Sequence, residues 1–284
     1  MKIIVFGCGR IGTCILDRLL PLNHDITAID TNASVIDKIE DTKDVMAVCA
    51  DAANFHVLED VGVKTADVVI ACTNLNEVNL SVCSMAKKLG AKHTIAQVRK
   101  PDYTIADFRK VEELFDIDYI YNPDLETASR IYQMINPVEV TRQNHYRQMN
   151  VMLMGASKVS VHLCRLLDHA NCSVKLLEKN ISRCERMCEL VPESVYVTCA
   201  DGTEKTVLYE EGIERTDAFV ALTDLDEQNL LISVFAKSRK VPMVITKVKH
   251  NSFESLVGGL GLDNILAPKM IAADSVVSYI EGIK

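Results

Sequence analysis

At 284 residues the chain has room for two domains of ordinary size, and 48% hydrophobic against 25% charged residues is the balance of a globular protein. A net charge of −8 and a pI near 5.4 exclude a general nucleic-acid binder, because no basic stripe is present to neutralise phosphates. The ten cysteines form no CxxC pair, the seven histidines have no metal-ligand spacing, and no apolar run reaches the ~18–20 residues that a membrane span needs. Met1-Lys2 enters the first apolar run directly, without a signal peptide, so reduced thiols in a cytosolic protein are the expectation.

Residues 3–6 form an apolar run that leads into Gly7-x-Gly9-x-x-Gly12, and 13–20 reads as a helix. Strand, glycine turn, helix is the context that the dinucleotide fingerprint requires. Gly7 permits the tight turn, Gly9 lets the backbone approach a pyrophosphate, and Gly12 lets helix and strand pack closely. The next strand, 24–30, ends in Asp30, at the usual distance of about 20 residues for a carboxylate that holds the adenosine ribose. A helix at 33–40 with Asn32 as N-cap, a strand at 45–50 and a helix at 55–61 follow. Residues 66–72 are the continuous apolar run of a strand buried on both faces. A helix through Leu89, a strand at 94–98, a helix at 106–114, a strand at 119–121 and a helix at 125–135 complete the unit. Strands alternate with helices throughout, which predicts a parallel sheet covered on both faces.

The second half repeats the first. Val151 to Gly155 returns Ile3 to Gly7, Glu178-Lys179-Asn180 returns Asp30-Thr31-Asn32, and Cys199-Ala200-Asp201 returns Cys49-Ala50-Asp51. Ala221-Leu222-Thr223-Asp224-Leu225-Asp226-Glu227 likewise returns Ala71-Cys72-Thr73-Asn74-Leu75-Asn76-Glu77, with Asn79-Leu80 recurring as Asn229-Leu230. A register held over a whole domain is a duplication. The expected fold is therefore α/β, two tandem Rossmann-like doubly wound parallel-sheet domains at 1–136 and 149–284, joined by a polar linker at 137–148.

The candidate site residues gather at the carboxyl edge of the first sheet, where ligands of such sheets lie. They are Gly7, Gly9, Arg10, Ile11 and Gly12 in the turn, Asp30 and Thr31 after the second strand, and Asp51 and Ala52 after the third. Thr73, Asn74 and Glu77 follow the fourth strand, and Arg99 ends the fifth. Asp51 reads equally as a ribose contact or a helix cap, and Thr73-Asn74 equally as pocket residues or an N-cap. Arg99 can fork onto phosphate oxygens, and Arg10 can reach the same phosphates. Asp30 would repel a 2′-phosphate and no arginine follows it, so NAD(H) is favoured over NADP, with ATP or ADP as alternatives. In the second turn only Gly155 survives. Ser157 puts a Cβ where the backbone should meet a pyrophosphate and Ser160 should space helix from strand, so weaker or purely structural binding is expected there. No nucleophile–base pair, metal cluster or separate substrate domain is legible, which argues against the alternative, an NAD-dependent oxidoreductase.

The stretches 2–12, 25–30, 71–80 and 96–103, together with Asn122-Pro123, resemble the TrkA-type regulatory proteins of bacterial Trk potassium uptake systems, built from RCK (or KTN) nucleotide-binding domains. The resemblance covers nearly the whole chain. It implies a non-enzymatic cytoplasmic subunit, peripheral to the inner face of the cell membrane, that self-associates into dimers or a ring. Such subunits sit under an integral-membrane potassium transporter and bind NAD(H) or ATP to bias its gate. Gly7, Gly9, Gly12, Asp30, Asp51, Thr73 and Arg99 fall on the family's nucleotide-contact positions. TrkA-type proteins usually carry a smaller C-terminal RCK subdomain after each Rossmann unit, and here only the short joint stands between the units.

Overall fold

A computed structural model describes residues 1–137, 147–249 and 261–283. The first sheet is formed by β1 (Lys2–Phe6), β2 (Asp25–Asp30), β3 (Met46–Cys49), β4 (Val68–Ala71), β5 (His93–Gln97) and β6 (Tyr119–Tyr121). Between them run α1 (Arg10–Leu19), α2 (Ala33–Thr42), α3 (Phe55–Asp60), α4 (Asn76–Leu89) and α5 (Ile105–Phe115), with α6 (Pro123–Ile135) after the last strand. Every pairing is parallel and the order is β3-β2-β1-β4-β5-β6. The chain therefore reverses its direction of winding between β1 and β4, and the crevice at their carboxyl ends is where a ligand of such a sheet lies. Ile3 to Phe6 and Val68 to Ala71 have no exposed surface, as strands covered by helices on both faces require.

The second sheet repeats this plan with β7 (Met149–Met154), β8 (Cys172–Glu178), β9 (Tyr196–Cys199), β10 (Ala218–Ala221), β11 (Met243–Lys247) and β12 (Asn264–Leu266). Between them run α7 (Lys158–Asp168), α8 (Ile181–Leu190), α9 (Lys205–Glu210) and α10 (Asp226–Ser238), with α11 (Pro268–Gly282) after the last strand. The strand order β9-β8-β7-β10-β11-β12 matches the first sheet position for position. Two parallel six-stranded sheets with interleaved helices are the tandem Rossmann-like architecture that the repeat predicts. Helix α1 starts at Arg10, three residues earlier than its apolar pattern suggests, because Gly9 in the turn is its N-cap.

The compact units divide the chain otherwise than the repeat does. One unit is Met1–Pro123 with Lys269–Lys284, and the other is Asp124–Pro268. Each sequence half thus gives up its last helix: α6 belongs with the second sheet, α11 with the first. Most of the 137–148 joint lies outside the described residues. In the first unit, Ala272, Ala273, Val276 and Ile280 of α11 are fully buried in the same core as Ile3, Val5, Ile15 and Leu19. The two alanines let the helix approach closely. Tyr279 stacks on Tyr119 with centroids 4.6 Å apart and planes at 10°, and Arg18 Nε lies 2.8 Å from Asp274 Oδ1.

An internal test follows from this division. Ile280→Ala should lower the stability of the first unit by about 2–5 kcal/mol, the usual cost of truncating a buried isoleucine. Hydrogen exchange should quicken in β1, β2 and β4 while β7, β8 and β10 keep their protection. Loss of protection in the second sheet instead would contradict the assignment of α11.

Candidate functional site

The glycine turn after β1 is built by close approach. Gly7 has φ +91°, and a Cβ there would lie 2.7 Å from Thr73 N. A Cβ on Gly12 would lie 2.0 Å from Gly7 O, so only glycine lets α1 sit against the turn. Gly9 is different: a Cβ would meet nothing within 4 Å. The protein itself does not require glycine there, whereas a molecule lying on the turn would. As N-cap of α1, Gly9 offers no side-chain acceptor to the amides at the helix start. Arg10 is exposed and Ile11 half-buried beside them.

Asp30, at the tip of β2, reaches back to this turn. Its Oδ2 accepts from Cys8 N at 2.7 Å and its Oδ1 from Asn32 N at 2.9 Å. The carboxylate thus clamps the turn while each oxygen keeps lone-pair capacity for a hydroxyl. Burial, and then the Asp30 charge, push the Cys8 thiol up to about 12, and burial pushes Cys72 well above its ordinary range. Both thiols at the turn stay protonated at neutral pH and are poor nucleophiles. Thr31 is exposed, and its carbonyl accepts the Cys49 thiol at 3.7 Å. Asp51 is exposed with Oδ1 accepting from Ala53 N at 2.9 Å, which makes it a turn former, and Ala52 beside it is buried.

Beyond β4 the arrangement departs from the N-cap alternative for Thr73 and Asn74. The N-cap of α4 is Leu75, which makes no side-chain cap, and Asn74 is an exposed loop residue. Thr73 instead belongs to a buried network centred on Asn79, which has no exposed surface. Asn79 Oδ1 accepts from Thr73 N at 2.8 Å and from Thr73 Oγ1 at 2.7 Å, while Nδ2 donates to Thr73 O at 3.1 Å and Gln97 O at 2.9 Å. One amide therefore ties the exits of β4 and β5 together. Sequence reasoning gave Asn79 no role, although its recurrence as Asn229 was the available signal. Arg99 follows β5, with its backbone N–H donating to Asn76 Oδ1 at 2.9 Å. Glu77 is exposed, 3.8 Å from Lys100 Nζ. The structure thus brings Gly7, Gly9, Gly12, Asp30 and Thr73 to one crevice. Asp51, Asn74 and Glu77 are exposed.

The second half reproduces the clamp and changes the turn. Glu178 Oε2 accepts from Ala156 N at 2.8 Å and Oε1 from Asn180 N at 2.9 Å, and Asn229 makes the same four bonds to Thr223 and Lys247 that Asn79 makes. At the turn, however, Ser157 caps α7 with its own hydroxyl, accepting from Ser160 N at 3.2 Å. Ser160 does not merely space helix from strand: its Oγ donates to Gly155 O at 2.6 Å, so the serine bonds the turn it replaces a glycine in. A cavity of about 280 Å³ opens here, lined by Gly155, Ser157, Glu178, Arg183, Asp201 and Thr223 among others. The cations on its lining are the exposed Lys179 and Arg183, and Arg183 is engaged within the protein. Arg183 Nη1 lies 3.1 Å from Asp224 Oδ2, and Lys249 Nζ donates to Asp224 O at 2.7 Å. Lys247, where the first half has Gln97, is buried and donates to Leu222 O at 2.9 Å. Its burial lowers the ammonium to about 8, against the pull of Asp224.

Comparison with known proteins agrees with this geometry. The TrkA-N domain family matches residues 3–123 and again 151–268. A Trk system potassium uptake protein TrkA homolog from Archaeoglobus fulgidus is 27% identical over 361 aligned positions, covering 100% of this chain and 82% of the relative. That alignment is longer than the chain, so the relative carries stretches with no counterpart here. Among solved structures, GsuK bound to ADP superposes with a TM-score of 0.77 at 16% identity, over 100% of this chain and 70% of that one. The GsuK channel bound to NAD gives 0.77 at 13% identity, over 99% and 63%. At such identities these two report the shared fold.

The Asn79 network is directly testable. Asn79→Ala leaves the Thr73 and Gln97 backbone groups without their partner, at a cost of about 1–3 kcal/mol for the first unit. Urea denaturation followed by amide exchange in β4 and β5 should register it. A midpoint equal to that of the unmodified protein would show that the network carries no stability.

Proposed function

The chain belongs to the TrkA-N domain family, and from that premise we propose that it is a nucleotide-sensing regulatory subunit of a Trk-type potassium uptake system. The observation that carries the reading is the first crevice. An uncapped helix start, a glycine whose side-chain space is open, and a carboxylate at the tip of β2 converge there. The helix amides and their dipole suit a pyrophosphate, and the remaining lone pairs of Asp30 suit a ribose diol. Asp30 with Thr31 and Asn32 offers no cation to a 2′-phosphate. The ligand is therefore an adenosine nucleotide with a free 2′-hydroxyl, NAD(H) first and ATP or ADP as shorter members of the class.

The A. fulgidus relative is named for potassium uptake, and GsuK has been solved with ADP and with NAD, which supports carrying both themes to this chain. No helix among the described residues is long and apolar enough to cross a membrane. In this reading the transport pathway lies in an integral-membrane partner, and this chain self-associates beneath it as dimers or a ring at the cytoplasmic face. Its role there is not catalytic: the thiols nearest the first turn are held protonated, and the carboxylate beside them is engaged with backbone amides. Nucleotide biases the gate to the extent that the open and closed assemblies bind it with different affinity, and by no more than that difference.

Asp30→Ala should weaken NADH binding by about 1.5–3 kcal/mol, roughly 10- to 150-fold, because a charge-assisted hydrogen bond to the ribose is lost. Calorimetric titration with NADH, NAD, ADP and ATP measures this, with circular dichroism verifying that the variant is folded. Equal affinities of folded variant and unmodified protein would remove the first crevice from the account.

A further inference from the structure

Three of the ten cysteines cluster on the outer side of the second crevice, around the end of β8. The Cys184 thiol, on α8, is buried and donates to Glu178 O at 3.2 Å. Cys199, at the end of β9, is the ladder partner of that same Glu178 and is exposed. Its thiol reaches the neighbouring carbonyl, Lys179 O, at 3.9 Å. The two sulfurs thus address successive carbonyls of one turn, and each thiol lies against the other. Cys188, one helical turn beyond Cys184 on α8, is exposed as well. In the first half the positions of Cys184 and Cys188 hold Ile36 and Glu40, and only the counterpart of Cys199 is a cysteine. That residue, Cys49, is exposed and its thiol lies 3.7 Å from Thr31 O, in the same setting as Cys199. The chain therefore contains its own control: two exposed thiols in the same strand-end setting, one with a cysteine at the corresponding helix position and one with an isoleucine there.

We propose that Cys184 and Cys199 are a modification site, a dithiol that closes to a disulfide when a hydroperoxide reaches Cys199. The exposed Cys199 is attacked first. Its thiolate displaces at the peroxide, the O–O bond breaks, an alcohol (water, for hydrogen peroxide) leaves, and Cys199 becomes a sulfenic acid. Cys184 then attacks that sulfur, so that the S–S bond forms, the S–O bond breaks and water departs with the Cys184 proton. Two thiols have lost two electrons and two protons, and the hydroperoxide has taken them up. Burial first, and then the neighbouring Cys199, push the Cys184 thiol up to about 12, so the exposed Cys199, and not Cys184, is the residue that meets the oxidant. Closure withdraws the Cys184 hydrogen bond from the Glu178 carbonyl, at the strand end whose carboxylate clamps the second turn. The inference rests on the thiol geometry alone and stands whether or not either crevice holds nucleotide.

The test uses the full chain, treated under native conditions with hydrogen peroxide, alkylated, digested and analysed by mass spectrometry. The expected product is a Cys184–Cys199 linked peptide pair that dithiothreitol separates, with alkylation of both residues falling together. Cys49 in the same digest should show sulfenic acid without an intrachain link. Cys184→Ser should abolish the link and leave Cys199 trapped as sulfenic acid, and Cys188→Ser should leave the link intact. A Cys188–Cys199 link in the unmodified chain, or Cys199 oxidised to the same unlinked extent as Cys49, would overturn the proposal.

Discussion

A carboxylate at the tip of the second strand holds each half of this protein in working shape. Asp30 and Glu178 both reach across to the backbone of the turn that follows the first strand of their sheet, and both accept a second amide two residues on. In the first turn Gly7 N donates to Ile29 O at 2.8 Å, and the Cys72 thiol and Thr13 hydroxyl bond the Gly7 and Cys8 carbonyls, which leaves the Cys8 amide to be met. A fixed anion supplies the missing constraint with charge-assisted hydrogen bonds. The position usually assigned to ribose recognition therefore has a prior structural duty. Its remaining lone pairs are what a ligand can use.

Given that common clamp, the two halves diverge at the helix start. In the first, the amides of α1 have no side-chain cap and the space over Gly9 is open. In the second, Ser157 and Ser160 satisfy the turn and the start of α7 between themselves, and Asp224 engages Arg183 and Lys249. The second crevice has volume, about 280 Å³, with Lys179 and Arg183 on its lining and Ser157 where the first turn has Gly9. The two halves thus differ at the helix start: no side chain caps the first, whereas Ser157 caps the second.

Much of this was legible in the sequence because it depends on local patterning. The glycine spacing, the apolar strands 3–6 and 66–72, and Asp30 after the second strand are short-range signals whose meaning survives without tertiary information. The duplication was visible because register persists. What was hidden depends on which surfaces meet. The apolar residues of α6 and α11 mark them as buried helices, but periodicity does not say against which core, so the exchange at Pro123 and Lys269 was invisible. Asn79 looked like a repeated letter because a buried amide has no local signature. Thr73 and Asn74 read equally as pocket residues or as caps, and the cap fell to Leu75, a residue that rarely serves as one.

The central claim is that nucleotide recognition resides in the first half and requires the open space over Gly9. Equilibrium dialysis of labelled NADH against the intact chain tests it most directly, because it counts sites. The account predicts one tight site per chain, abolished by Gly9→Trp and retained by Ser157→Trp. Two tight sites of similar affinity, or a single site that survives Gly9→Trp and disappears with Ser157→Trp, would contradict it.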